Sequence, residues 1–314
     1  MINNTKKFLI VGFGGMGCRH AQSLINSFPE SITYIFEPND DVFQKNINLI
    51  GQQDNKDIVK LSKLGQFNDV IDLCVIATSA GPRFDILREL LNYEIKNYIL
   101  EKVVFQSDYQ FEEILNIVSG KNIYINFVNR YFENYLKIKD QINNHPFSMN
   151  IIGGDFGLGS NALHYFDLFK YFGGSKLKLD KFLLIENTKG NKRGNQYKEI
   201  FGQISISSED GSSLNISSDP LRKGDVEIIL KSSKITHIIN EGLSNHIEFG
   251  INDIKTSPLY IEYTSSLTGK IFKDILDSKC LLPTLDNAKD IHSLLFESIN
   301  KSLNLKTEDI CPVT

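Results

Sequence analysis

Short, dense apolar runs alternate with amphipathic stretches over the first 128 residues. Residues 8–11, 32–36, 58–61, 70–78, 98–100 and 123–127 are rich in β-branched side chains and read as buried strands. Between them, 18–28, 41–50, 84–91 and 107–118 space their apolar residues at helical intervals, with Ser107 an expected N-cap. Strands alternating with helices predict a doubly wound parallel sheet.

From about residue 129 the texture changes. A linking helix over 130–142 and a strand over 146–154 lead into a glycine-rich turn, 153–159. That turn opens a helix over 160–172, which closes on Gly173-Gly174. The remainder is strand-rich, at 177–185, 199–207, 213–217, 225–231, 235–240 and 259–263, with turns at 209–211 and 222–225 that predict antiparallel hairpins. Alternation of apolar and polar residues predicts a mostly antiparallel sheet with one face open to solvent or to another subunit. The polar run 187–196 reads as an exposed loop, and a last helix over 287–303 is placed to pack back on the first domain. The expected fold class is α/β, with a dinucleotide-type domain over 1–128 and an α+β domain over 129–314.

Composition narrows the functional classes. The 314 residues suffice for two domains, and 41% hydrophobic with 23% charged residues suits a globular protein with a sizeable core. Net charge is −4 with no basic cluster, so no nucleic-acid partner is expected; no apolar run is long enough for a membrane span. Cys18, Cys74, Cys280 and Cys311 are scattered without metal spacing and read as free thiols, which places the protein in a reducing cytoplasm. Lys6 and Lys7 before an apolar run, with Met16-Gly17-Cys18 after it, faintly suggest a secretion signal. Three glycines and Arg19 interrupt that pattern, and it is set aside.

The chemistry-bearing stretch is Gly12-x-Gly14-x-x-Gly17, which follows the first strand and opens the first helix. Glycines there allow a tight turn, close approach of a pyrophosphate and close helix–strand packing, while the helix N-terminus offers N–H groups to phosphate. Phe13, Gly15 and Met16 complete the expected cofactor-binding turn. Glu37 ends the second strand about 20 residues on, where a carboxylate takes the ribose hydroxyls; it favours NAD(H), with NADP(H) left open. Thr78 and Ser79 end the central strand, on the expected nicotinamide side, and Glu101, also expected to bind the cofactor, ends the next with Lys102. Lys102 can hold a substrate oxygen or act as a base, the bland alternative being a surface ion pair. His164 is the second acid–base candidate, on a helix face it shares with Ser160, Asn161, Asp167 and Leu168. Asp167 could orient its imidazole or sit at the helix edge. His20 is expected behind the cofactor turn, and His145, His237, His246 and His292 in structural or surface roles. No zinc-protease, nucleophile-elbow or P-loop pattern occurs, so no metal is expected. A methyltransferase could use a similar crevice, but Gly17 and the separate strand-rich domain argue against it.

Gly12-x-Gly14-x-x-Gly17-x-x-His20, then Glu101-Lys102, then Gly154 and His164-x-x-Asp167, together with Pro283-Thr284-Leu285, Ala288 and the helix from His292, resemble the Gfo/Idh/MocA oxidoreductases over almost the whole chain. The resemblance implies an N-terminal Rossmann domain and a C-terminal domain whose large open-faced sheet mediates homodimers or homotetramers. It also implies NAD(P)-dependent redox chemistry on a sugar, cyclitol or sugar nucleotide. By it, Lys102 is the lysine of the E-K-P motif and His164 the catalytic histidine. Arg130 and Tyr131, just past the last strand of the first domain, are expected as lesser substrate contacts, and the Ser160 hydroxyl and Asn161 amide can position substrate. Two departures stand out. Val103 replaces the motif's proline and is expected to loosen the backbone that aims Lys102, and Ser160 stands where the family's D-x-x-x-H has aspartate. Arg83 lies near a position often held by histidine and reads equally as a phosphate or substrate contact or a surface residue. A non-enzymatic, cofactor-sensing regulator on the same fold is the alternative function.

Overall fold

The computed structural model describes residues 5–50, 57–143, 145–186, 191, 193–222 and 224–314. Residues 187–190 and 192 of the expected polar loop, and Lys223 of the expected 222–225 turn, lie outside the described residues. In chain order the elements of the first half are β1 (Lys7–Val11), α1 (Gly15–Ser27), β2 (Ile32–Phe36), α2 (Asp40–Ile50), β3 (Ile58–Leu61), β4 (Leu73–Ile76), α3 (Ala80–Leu90), β5 (Asn97–Leu100), α4 (Asp108–Ile117) and β6 (Asn122–Ile125). After a 3-10 turn at Val128–Tyr131 come α5 (Glu133–Ile142), β7 (Phe147–Gly153), α6 (Leu158–Phe172), β8 (Lys178–Glu186), β9 (Ile200–Ser207) and β10 (Ser213–Ser218). The chain continues through β11 (Glu227–Ser232), β12 (Thr236–Asn240), β13 (Asn245–Phe249), β14 (Ile254–Pro258), α7 (Thr264–Leu276) and α8 (Leu285–Ser302).

The chain divides into two compact units. The first comprises 1–105, 110–128 and 262–287. Its six strands form a parallel sheet in the order β3-β2-β1-β4-β5-β6, so the strand order reverses between β1 and β4. The crevice at such a reversal, outside the carboxyl ends of the strands, is where open α/β sheets take ligands. Strands β1, β4 and β5 are buried along nearly their whole length, which accounts for apolar runs without alternation. Helix α7 completes this unit: Phe272 packs edge-on against Phe8 and Phe28, and Gly269 N donates to Ser23 Oγ at 2.9 Å.

The second unit comprises 106–109, 129–261 and 288–314. Its eight strands run β14-β13-β12-β11-β7-β10-β9-β8, antiparallel except where β10 pairs with β7 in parallel. Inward positions such as Met149, Ile151, Ile204, Leu214, Ile216 and Ile228 are buried, while Asn150, Gln203, Asn215 and Ser217 between them are not. That period of two is the signature of a sheet covered on one face.

Several expected elements differ. The helix over 130–142 is a 3-10 turn followed by α5, and the 70–78 strand narrows to β4, with backbone bonds from Asp72 N to Lys7 O at 2.9 Å and from Ala77 N to Val11 O at 2.8 Å just outside its ends. No strand forms over 259–263, where Tyr260 N donates to the Asn134 side chain rather than to a neighbouring strand. Strands β13 and β14 and helix α7 were not expected. The segment that returns to the first unit is 262–287, whereas α8 from Ala288 onward belongs to the second.

Candidate functional site

The glycine turn is braced from three sides within the first unit. Gly12 adopts φ +83° and donates its N–H to Phe36 O at 2.9 Å, tying the turn to the end of β2. A Cβ on Gly17 would fall 1.9 Å from Gly12 O, so only glycine lets α1 lie this close to the strand it leaves. Cβ atoms on Gly14 and Gly15 would meet nothing within 4 Å, so the outer side of the turn is open, at the N-terminus of α1. The Glu37 carboxylate accepts from Phe13 N at 2.8 Å and from Asn39 N at 3.0 Å. Asn46 Nδ2 donates to Phe13 O at 2.6 Å. Glu37 is thus held at the turn by its own hydrogen bonds. An ionised carboxylate has about four acceptor sites, so these bonds leave capacity for hydroxyl donors.

At the end of β5, Glu101 is buried and accepts from Asn126 Nδ2 at 2.7 Å, while His20 Nε2 lies 2.9 Å from the same oxygen, Oε1. Burial alone would raise the Glu101 pKa, but His20, Asn126 and the neighbouring Lys102 charge outweigh it and hold the carboxyl down to about 2. His20 is anchored in turn by Thr268 Oγ1, 2.8 Å from Nδ1. Lys102 follows, half-buried, with a cis peptide to Val103.

Arg83 is neither a surface residue nor open to a phosphate: it is 1% exposed. Its guanidinium donates to the Glu101 carbonyl at 2.6 Å and to those of Val103 and Thr78. One buried side chain therefore joins the ends of β4 and β5 on either side of Lys102, and Val103, itself fully buried, does not loosen this backbone. Thr78 and Ser79 lie at the start of α3, half-exposed.

In the second unit, α6 carries the other candidates. Ser160, Asn161 and His164 are half-buried, whereas Leu163, Phe166, Phe169, Asp167 and Leu168 are buried, so the exposed stripe is narrower than expected. Asp167 receives both Arg130 Nε at 2.8 Å and Arg130 Nη2 at 2.6 Å. Burial raises its pKa to about 6 against the pull of Arg130. Asp167 thus binds Arg130 rather than orienting His164. Arg130, further stacked over the Tyr171 ring at 4.9 Å, is built into the structure, and Tyr131 is a core residue at 2% exposure. Asn161 Nδ2 donates to Phe156 O and to Gly157 O, closing the turn ahead of α6. Ser160 Oγ donates to the Glu199 carboxylate at 2.6 Å, a partner 39 positions away that sequence spacing could not reveal.

His237, His246 and His292 are held inside the second unit. His237 Nδ1 lies 3.1 Å from His246 Nε2 across β12 and β13, both rings buried, and His292 Nδ1 lies 2.7 Å from Ala288 O. Burial pushes the His237 pKa down to about 4. Among the described residues, no group of three or more His, Cys, Asp or Glu side chains could hold a metal ion, and no helix is long and apolar enough to cross a membrane. The cysteines form no disulfide, and Cys18, Cys74 and Cys311 are buried.

No protein-family model matches the chain, and no curated protein matches it either. Solved structures do match in fold. UDP-N-acetylglucosamine 3-dehydrogenase from Acidithiobacillus ferrooxidans superposes with a TM-score of 0.76 at 10% identity, covering 95% of this chain and 97% of that one. An Agrobacterium radiobacter oxidoreductase, solved with NAD+, L-tartaric acid and magnesium, gives 0.75 at 11% identity over 96% and 97%. The transcriptional regulator Gal80p from Kluyveromyces lactis gives 0.69 at 14% identity over 98% and 95%. The shared feature is the fold, a parallel nucleotide-type sheet followed by a large, mostly antiparallel one, as in the Gfo/Idh/MocA-type oxidoreductases.

Proposed function

We propose that the chain is an NAD(P)-dependent oxidoreductase that moves hydride between nicotinamide and the hydroxyl or carbonyl carbon of a sugar, cyclitol or sugar nucleotide. The observation that carries this reading is the rim of the first unit. A braced glycine turn and Glu37 stand at the end of one half-sheet, and a lysine locked between a buried Glu101 and the Arg83 clasp stands at the end of the other. The dinucleotide fits the residues present: the turn has open space where Gly14 and Gly15 lack side chains, and Glu37 faces the turn with acceptor capacity for ribose hydroxyls. When bound, it supplies the hydride acceptor or donor. Glu37 favours NAD(H), since a 2′-phosphate would meet a carboxylate.

The chain's own side chains handle oxygen and proton. Lys102 donates a hydrogen bond to the reacting oxygen and stabilises negative charge as it develops there. His164 takes or returns the hydroxyl proton. Thr78 and Ser79 border the nicotinamide side, Ser160 contacts substrate, and the outer sheet face serves a homodimer or homotetramer in the cytoplasm. The alternative of a cofactor-sensing regulator is favoured by one observation, that a transcriptional regulator shares the fold.

Fluorescence titration with NADH and NADPH, followed by assay of NADH formation from NAD+ with D-glucose, myo-inositol and UDP-N-acetylglucosamine, tests the proposal. NADH is expected to bind more tightly than NADPH, and Glu37→Ala to weaken NADH at least about 10-fold. Lys102→Met is expected to cut turnover by about 100-fold or more while NADH affinity stays within a few-fold. Unchanged turnover in that variant removes Lys102 from the mechanism, and failure of the wild type to bind either nucleotide removes the proposal. Tight NADH binding without turnover of any hydroxyl compound favours the regulator.

A further inference from the structure

Asn134, in the first turn of α5, grips the end of β14 with both ends of its amide. Tyr260 N donates to its Oδ1 at 3.2 Å, and its Nδ2 donates to Pro258 O at 3.1 Å. These two bonds fix which end of the amide is nitrogen. The second Nδ2 proton faces His246 Nδ1 at 3.1 Å, so that ring nitrogen is an acceptor. His246 therefore carries its proton on Nε2 and donates to His237 Nδ1 at 3.1 Å. His237 is left with its proton on Nε2, an atom with no hydrogen-bond partner among the described residues, in a ring 0% exposed. One amide orientation thus sets the tautomers of two buried rings and requires both to be neutral.

A further proton has no place in this relay. On His246 Nδ1 it would face the Asn134 N–H. On His237 Nδ1 it would face the His246 N–H, and that contact returns only if His246 moves its own proton to Nδ1, against Asn134 again. Turning the amide over would offer Oδ1 to the charged ring, but it would set Nδ2 against the Tyr260 N–H and strip Pro258 O of its donor. Glu248, opposite His237 in the β12–β13 register, favours charge on the rings. It is already engaged by Gln141 Nε2 of α5 at 2.9 Å and by Lys255 Nζ of β14 at 3.6 Å. Lys137 of α5 opposes charge on His246, while β11 and β14 pair the uncharged Leu230 and Ser257 with the two histidines. Burial outweighs Glu248 and pushes both pKa values down, that of His237 to about 4.

We infer that Asn134, His246 and His237 form a proton-operated latch, which holds Pro258 and Tyr260 on α5 while both rings are neutral and frees them when the pair takes up a proton. Leu259 N donates to Ser244 O at 2.8 Å and keeps the segment on the sheet, so the tie that opens is the one to the helix. Tyr260 and Ile261 are the last residues of this unit before the chain passes into 262–287, so the latch acts on the covalent connection between the two units. It needs neither cofactor nor substrate.

A ring whose pKa is lowered by the latched state favours that state above its ordinary value of 6.5 and gives way as pH falls toward 4. Hydrogen exchange of the Tyr260 amide in the full chain, followed by NMR and corrected for the intrinsic pH dependence of exchange, tests this. Between about pH 7.5 and about pH 5, protection of Tyr260 is expected to fall about 10-fold or more, while the amides of β7 keep theirs. In His246→Asn, whose Oδ1 can accept from Asn134 but takes up no proton, the change is expected to stay below about 3-fold. Protection that persists at the lower pH in the wild type, a fall shared by β7, or an equal fall in His246→Asn overturns the latch. If His246→Asn does not fold, ring-nitrogen NMR of the wild type decides. At about pH 7.5 both rings are expected to hold their proton on Nε2 alone, and His246 Nδ1 to gain one over the range in which Tyr260 loses protection. A proton on His246 Nδ1 at the higher pH, or one gained with Tyr260 still protected, overturns the latch.

Discussion

Among single residues, Glu101 shows most directly how environment decides chemistry. It is buried at 8% exposure, which by itself would push its proton on, yet His20 and Asn126 keep it ionised. Its folded-state pKa of about 2 lies below the unfolded value near 4.5, so the stability it contributes is complete above pH 4.5 and is lost as pH falls toward 2. At about 1.4 kcal/mol per pKa unit, the contribution near neutrality is roughly 3 kcal/mol. Urea unfolding at pH 7 and pH 3 should show the wild type losing much of that amount, and Glu101→Gln lacking this part of the acid slope. An identical slope in the variant would show that the carboxylate is not held this way. Little of this was readable in the sequence. Glu101 and Lys102 could be placed at the end of a strand by position alone, but the partners that fix them, His20, Asn126 and Arg83, come from other elements, and no spacing along the chain pairs them with this strand end. Arg83 in particular looks like any helix-surface arginine until the carbonyls it binds are seen.

At the level of elements, the apolar pattern was decisive where burial was two-sided or strictly alternating. The parallel strands β1, β2, β4, β5 and β6, together with β7, β9, β10 and α6, follow from it. It was mute where burial is absent: every residue of β14 is exposed, so its sequence IKTSP carries no period to read. It misled at 259–263, where Tyr260, Ile261 and Tyr263 have the composition of a strand but are left exposed. Helix α7 was hidden behind Thr and Ser at its start and Gly269 in its middle, residues that favour other conformations locally and are overridden here by packing against α1. The turn from β1 to α1, by contrast, was legible because its glycines have a steric reason. Gly17→Ala would press a methyl group onto Gly12 O, and we expect it to destabilise the protein by more than about 3 kcal/mol and to abolish NADH binding. Thermal unfolding and the nucleotide titration together check this; a variant with wild-type Tm would mean that the helix can back away from the strand.

For the whole molecule, the instructive point is that the nucleotide-type unit is not a contiguous stretch. Its sheet is finished by residue 128, but α1 and β1 still need Phe272, Thr268 and Gly269 from the segment 262–287. The same segment reaches the sheet edge, where Ile125 N donates to Pro283 O at 2.9 Å. A fragment of residues 1–128 is therefore expected to lack a cooperative unfolding transition and NADH binding, and a fusion of 262–287 to it through a flexible linker to restore both. Cooperative unfolding of 1–128 alone, seen by circular dichroism, would refute this. The arrangement also bears on how the protein is made. At about 5–20 residues per second, the ribosome would finish the six-stranded sheet many seconds before α7 is synthesised. Through that interval the nascent chain would carry the apolar face of α1 uncovered. Cofactor capture would then be a late event in biogenesis, and the half-built sheet a natural client for chaperones.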